Sequence, residues 1–133
     1  EADEPDVPSI AGNEAWSNDN IELLVERSDG QIYQVIAAPK SESVFLLDRR
    51  RFYAPKGVVI RDAVEPGKGW KVFMAVPLDD LKPNMQLTPV KLKLELARIR
   101  KVGDERSAWT PMDLNFFERK SYGTVILDFS WTK

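Results

Sequence analysis

The stretch IELLVERSDGQIYQVIAA, residues 21–38, decides the fold. Leu23, Leu24 and Val25 form an apolar run. After the break, Ile32, Gln34 and Ile36 alternate with Tyr33, Val35 and Ala37, a period of two that places the two sets on opposite faces of a strand. Ser28-Asp29-Gly30 lies between the runs and is turn chemistry, because Gly30 tolerates a positive φ. Two such runs joined by such a turn predict a β-hairpin.

Outward from the hairpin the pattern continues. Ser43–Leu47 is a short apolar run that ends in Asp48-Arg49-Arg50-Arg51. Three successive arginines read either as a solvated loop or as a site facing a carboxylate or polyhydroxylated ligand. Val58–Arg61 predicts a strand after the break at Pro55 and Gly57, and its partner is Gly69–Val76. There Trp70, Val72, Met74 and Val76 share one face, and Trp70 reads as core. Pro77–Leu81 is long enough for one helical turn before Pro83. Val90–Arg100 sets Val90, Leu92, Leu94 and Leu96 against Lys91, Lys93 and Glu95, the pattern of a sheet with one dry and one wet face. Ala97 and Ile99 then shift the phase, which predicts a bulge or the end of the inner face. Pro111 interrupts the chain after Trp109, so Trp109 is expected on a loop. Gly123 opens a final strand through Phe129, with Trp131 in core or at a sheet edge. Short strands, frequent turns and no helix of ten residues predict an all-β, antiparallel β-sandwich with at most one-turn helices.

Composition bounds the function. The 133 residues, 43% of them hydrophobic, suit one domain, read as 14–133 behind an acidic tail or linker at 1–13. The formal net charge of −2 gives no field that gathers nucleic acid or an anionic membrane. No apolar run approaches the roughly 20 residues of a membrane helix. Cysteine and histidine are both absent. Their absence excludes thiolate metal sites, cysteine nucleophiles, a Ser-His-Asp triad and the histidine ligation of haem. The acidic opening (Glu1, Asp3, Glu4, Asp6) reads as tail, with a calcium-binding arm as its sharper alternative. The first residue is Glu1 and not methionine, which suggests a processed or trimmed product. Asp79-Asp80 and Asp104-Glu105 sit in turn-like sequence, and nothing sets two acids at the separation that glycoside hydrolysis requires. A non-catalytic role is therefore expected.

Ser107-Ala-Trp109-Thr-Pro111, then Phe116-Phe117, then Tyr122-Gly123 leading into an apolar strand resembles the C-terminal signature of family 9 carbohydrate-binding modules. Trp16 with Asn18-Asp19-Asn20 and Ile21-Glu22-Leu23, the returning strand Ile32–Ile36, and Gly69-Trp70 through Pro77–Leu81 are similar to further parts of that family, in order from Trp16 to Phe129. Val90–Arg100 stands where the family has a Trp-X-X-Asn-X-X-Arg strand, without the Trp and Asn. The family's strands before the first tryptophan, the acid at Phe73 and the histidine near Phe116 or Phe117 have no counterpart here.

The resemblance implies a β-sandwich that binds a glycan without catalysis, in a family that often carries structural calcium, as an accessory module of an exported (secreted, periplasmic or cell-surface) polysaccharide-processing protein. Carried over residue by residue, it implies a clamp of Trp16 and Trp109 around the sugar ring, with Glu22 bonding its hydroxyls. Indole faces suit the C–H face of a pyranose, and carboxylates its hydroxyls. The alternative is an interaction domain that has lost the sugar site. A short N-terminal region leaves a sheet edge open, and another domain or chain is then expected to complete it.

Overall fold

The computed structural model describes residues 2–3, 14–27, 29–52, 56–81, 90–111 and 115–127. Ten strands are assigned: β1 (Ala2–Asp3), β2 (Asn20–Glu26), β3 (Ile32–Ala37), β4 (Val44–Leu47), β5 (Arg50–Phe52), β6 (Val59–Glu65), β7 (Gly69–Ala75), β8 (Val90–Arg100), β9 (Glu105–Ala108) and β10 (Gly123–Leu127). Among the described residues the single α-helix, α1 (Leu78–Leu81), is one turn, and short 3-10 turns occupy Ala15–Ser17, Val102–Asp104 and Arg119–Ser121. The protein is an all-β antiparallel sandwich.

The large sheet runs β10-β8-β2-β3-β4-β5, with β9 also paired to β8. β8 is long enough to carry β10 along Val90–Leu94 and β9 along Ala97–Arg100, end to end on one edge, while β2 pairs along its other edge. The small sheet is β1-β7-β6. The hairpin at residues 21–38 forms as its sequence predicts: Ile21 pairs with Ala37 through to Glu26 with Ile32, and Gly30 has φ 80°. The pairing of β6 with β7, the helical turn at α1 and the buried position of Trp70 also agree with the sequence. Two residues of the stretch read as tail, Ala2 and Asp3, pair with Trp70 and Gly69. The remainder of 1–13, and Trp131, lie outside the described residues.

The core between the sheets is made by Val25, Tyr33, Val35 and Phe45 of the large sheet. Leu23, Leu47 and Leu94 pack around them, and Val58, Ile60, Met74, Val76 and Leu81 close over them from the other layer. Full burial of an aliphatic side chain, as at Val25 and Val35, is worth about 1.5–3 kcal/mol. The opposite face of the large sheet is also dry. Leu24, Ile32, Ala97 and Tyr122 pack there with Phe116 and Phe117, and Ala15, Ile36, Ala38 and Val44 form a third cluster. All six residues of β3 are therefore buried.

That second covering corrects the reading of β8. Glu95, expected on a wet face, is 0% exposed, whereas Leu96, expected in the core, is 46% exposed. The register of β2 against β8 is unbroken from Asn20–Ile99 to Glu26–Lys93, so no bulge causes the phase shift. The cover changes instead. The small sheet does not shield Leu96, and Thr110, Phe116, Phe117 and Tyr122 lie over the face that carries Glu95 and Ala97.

Candidate functional site

Strand alternation decides which side chains can meet. In the β2-β3-β8 ladder, Glu22 lies opposite Ile36 and Ala97, and Leu24 opposite Gln34 and Glu95. Glu22, Gln34 and Glu95 thus share the face turned away from the core between the sheets. Over that face lie residues 110–111 and 115–122, called the arch below, and Glu95 holds Thr110 there. Its Oε1 accepts hydrogen bonds from the backbone N–H of Leu96 (3.0 Å) and of Thr110 (3.1 Å), and its Oε2 accepts the Thr110 hydroxyl. Tyr122 ties the far end down by donating to the Phe116 carbonyl at 2.7 Å. Burial raises the pKa of Tyr122, which keeps it a hydrogen-bond donor.

Between this arch and the sheet lies a cavity of about 430 Å³, within the range of small-ligand sites. Glu22 and Gln34 wall it from the sheet, Arg106 and Ser107 from β9, and Thr110, Pro111, Asn115, Phe116 and Phe117 from the arch. Glu22 is 6% exposed. Its Oε2 accepts a 2.7 Å hydrogen bond from Gln34 Nε2. Burial pushes the Glu22 carboxyl above its ordinary range, while the Gln34 bond and the charges of Lys101 and Arg106 pull the other way. The cavity therefore offers a poorly hydrated acceptor and amide and hydroxyl groups, set against the apolar edges of Phe116, Phe117, Ile99 and Pro111. Among the described residues Glu22 is the one carboxylate that lines it.

The two tryptophans of the expected clamp stand elsewhere. Trp109 follows β9, and its N–H continues the ladder to the Leu96 carbonyl at 2.8 Å. One residue beyond Ala108, alternation turns it to the other face of the sheet. There its ring lies against Gly123, where an added Cβ would come within 2.4 Å of it. It is 53% exposed and borders a separate shallow recess of about 290 Å³ with Ile21, Leu96 and Arg98.

Trp16 sits in the 3-10 turn before β2 and is 40% exposed. The Arg51 guanidinium lies 5.4 Å from its ring and also pairs with Glu14. The polar residues that follow it are engaged in holding the turn. Asn18 donates to Ser41 Oγ at 2.9 Å, Asn20 to the Asn18 carbonyl at 3.0 Å, and Asp19 accepts the Lys101 N–H at 2.6 Å. Neither indole lines the Glu22 cavity, and the clamp of Trp16 and Trp109 around Glu22 does not form. Glu22 alone of the three expected residues borders a cavity of ligand size.

Sequence reasoning missed Gln34, Arg106, Asn115, Phe116 and Phe117 as site residues. One signal was available: Gln34 is the single polar residue between Ile32 and Ala37, which marks a polar neighbour on a buried face. Among the described residues no three acidic side chains gather in a way that would hold a metal ion, so the calcium implied by the resemblance has no site among them. No described helix is long and apolar enough to cross a membrane. Compared with known proteins, the chain matches no family model, no curated sequence and no solved structure, so the likeness to family 9 modules rests on the quoted residues alone.

Proposed function

We propose that this domain binds carbohydrate without catalysis, in the cavity between the large sheet and the arch. The observation that carries the reading is the buried Glu22 carboxylate on a cavity wall, oriented by Gln34 and facing an arch that brings Phe116 and Phe117. A desolvated carboxylate accepts sugar hydroxyls strongly, because charge-assisted hydrogen bonds are about twice as strong as neutral ones. Apolar edges opposite it receive the C–H face of the ring. Glu22 is the one carboxylate among the described residues that line the cavity, which supports recognition over bond cleavage. The place of such a domain is as an accessory module of an exported polysaccharide-processing protein.

The test is calorimetry across a panel of neutral and acidic oligosaccharides with the wild-type chain, Glu22→Gln and Trp109→Ala. Glu22→Gln is expected to weaken binding at least tenfold and Trp109→Ala to leave it unchanged. If Glu22→Gln binds as wild type does, this site is not the sugar site.

A second reading, an interaction domain, is favoured by a different observation: Leu96 and Trp109 stand exposed side by side on the sheet face that the small sheet leaves uncovered. Sedimentation of the wild-type chain and of Trp109→Ala tests it. A concentration-dependent association that the substitution removes is its expected result.

A further inference from the structure

The Glu22 cavity has a neighbour. A second recess, of about 270 Å³, is lined by Ile32, Asp48, Arg49, Phe117 and Arg119, and Phe117 walls both spaces. Resting on the carbohydrate reading above, we infer that the ligand groove continues past Phe117 into this recess and that the sugar it takes is acidic, a uronic-acid oligosaccharide whose carboxylate meets Arg49 and Arg119.

The charge pattern is one-sided. Arg119 donates to the Gly30 carbonyl and lies 3.4 Å from Asp48 Oδ1, so one cation is balanced by the one acid of the recess. Arg49 is held with its guanidinium 4.1 Å from the Phe117 ring centroid, and among the described residues no carboxylate pairs with it. One positive charge is left over, on a chain whose formal net charge is −2. A guanidinium stacked on an aromatic ring keeps its in-plane N–H groups free to fork onto a carboxylate.

The backbone that presents it is strained. Asp48 and Arg49 form the two-residue turn between β4 and β5 with φ of 51° and 67°, the positive pair of a type I′ turn, where Asn-Gly or Asp-Gly is the favoured sequence. Arginine stands where glycine would relieve the backbone, and strain of this kind gathers at ligand-binding positions. The Asp48 N–H bonds the Ile32 carbonyl at 2.9 Å, which fixes the turn to the strand that carries Gln34. Gln34 and Ile32 are two residues apart on β3, about 7 Å along the strand, a spacing of the order of one sugar residue. At the other end Arg106 lines the cavity, but Asp104 lies 3.7 Å from it and Glu22 adds a second acid, so among the described residues that line it no cation is left over there. The ligand's acid is thereby directed to the arginine end and its hydroxyls to the glutamate end.

The experiment compares oligouronates of gluco, manno and galacto configuration with their carboxyl-reduced counterparts of equal length, by calorimetry, on wild type, Arg49→Gly and Glu22→Gln. Sodium sulfate alone is the control for a free anion. The expected result is one oligouronate bound about tenfold or more tighter than its reduced counterpart, a preference that Arg49→Gly abolishes while its melting temperature is kept or raised. Binding of sulfate as tight as that of the oligouronate would make the recess a simple anion site and overturn the inference. So would equal affinity for the acidic and reduced sugars, or a preference that survives in Arg49→Gly. If in those cases Glu22→Gln still weakens the sugar, the carbohydrate reading stands and only its acidic refinement falls. Absence of binding by every sugar removes both.

Discussion

Two buried glutamates on one face of the large sheet, Glu95 on β8 and Glu22 on β2, have opposite fates. Glu95 is fully enclosed, and both its oxygens are occupied by Leu96 and Thr110, so it belongs to the architecture: it pins the arch that creates a cavity. Glu22 is nearly as buried, yet it takes one hydrogen bond from Gln34 and borders the space that the arch encloses. Burial alone therefore does not mark a functional acid. What separates the two is whether the protein's own donors satisfy the carboxylate or leave part of it to face a cavity.

Substitution breaks the comparison most sharply at Glu95. Glu95→Ala strands three part-buried donors, each worth about 1 kcal/mol, so a loss of about 3 kcal/mol is expected in urea unfolding, together with loss of the arch and of sugar binding. A smaller effect is expected on the opposite face. Gly123→Ala drives a methyl group into the Trp109 ring and should destabilise the domain by about 1–3 kcal/mol. Sugar affinity should be retained, since the indole does not line the cavity. A large loss of affinity in that variant would mean that the two faces are coupled.

Glu22→Gln is expected to act on binding more than on stability, by about 1.5–3 kcal/mol in affinity, because the amide oxygen still accepts from Gln34 but carries no charge. Its pH dependence has a definite sign. The folded pKa of Glu22 is raised above the unfolded value near 4.5. Its contribution to stability is therefore fully present below that value and is lost as pH rises through the folded pKa. Wild type should lose ground to Glu22→Gln in unfolding free energy across that window and run parallel to it above. Sugar affinity should move the other way in the same window, rising as the carboxylate ionises. If stability and affinity rise together, burial is not the dominant influence on Glu22.

The smallest expected effect is at the turn. Arg49→Gly relieves a left-handed residue, worth about 1–2 kcal/mol, but loses the stacking on Phe117, worth about 0.5–1 kcal/mol, and adds freedom to the unfolded chain. Thermal unfolding should place the variant within about 0.5 kcal/mol of wild type, on the stabilising side.

Much of the frame was legible in the chain. Ser28-Asp29-Gly30 between two apolar runs located the hairpin, and the alternation in residues 69–76 located β7 and the burial of Trp70. The site was legible only in Glu22, which the family resemblance proposed and the alternation of β2 placed on a buried face. The clamp failed for a local reason that alternation could have shown. Reading Glu105–Ala108 as strand puts Trp109 on the face opposite Ala97, and so opposite Glu22.

By itself, the sequence determined the class of the fold and the positions of its turns, since turn chemistry and a period of two act over a few residues and need no distant partner. It also excluded every mechanism that needs histidine or cysteine. The tertiary structure alone decided which face each strand buries twice, that Glu95 would be enclosed and Leu96 left bare, and that Gln34, Phe116 and Phe117 would meet at Glu22. Those outcomes depend on where Thr110, Phe116, Phe117 and Tyr122 come to rest, which is set by packing and hydrogen bonds between residues far apart along the chain.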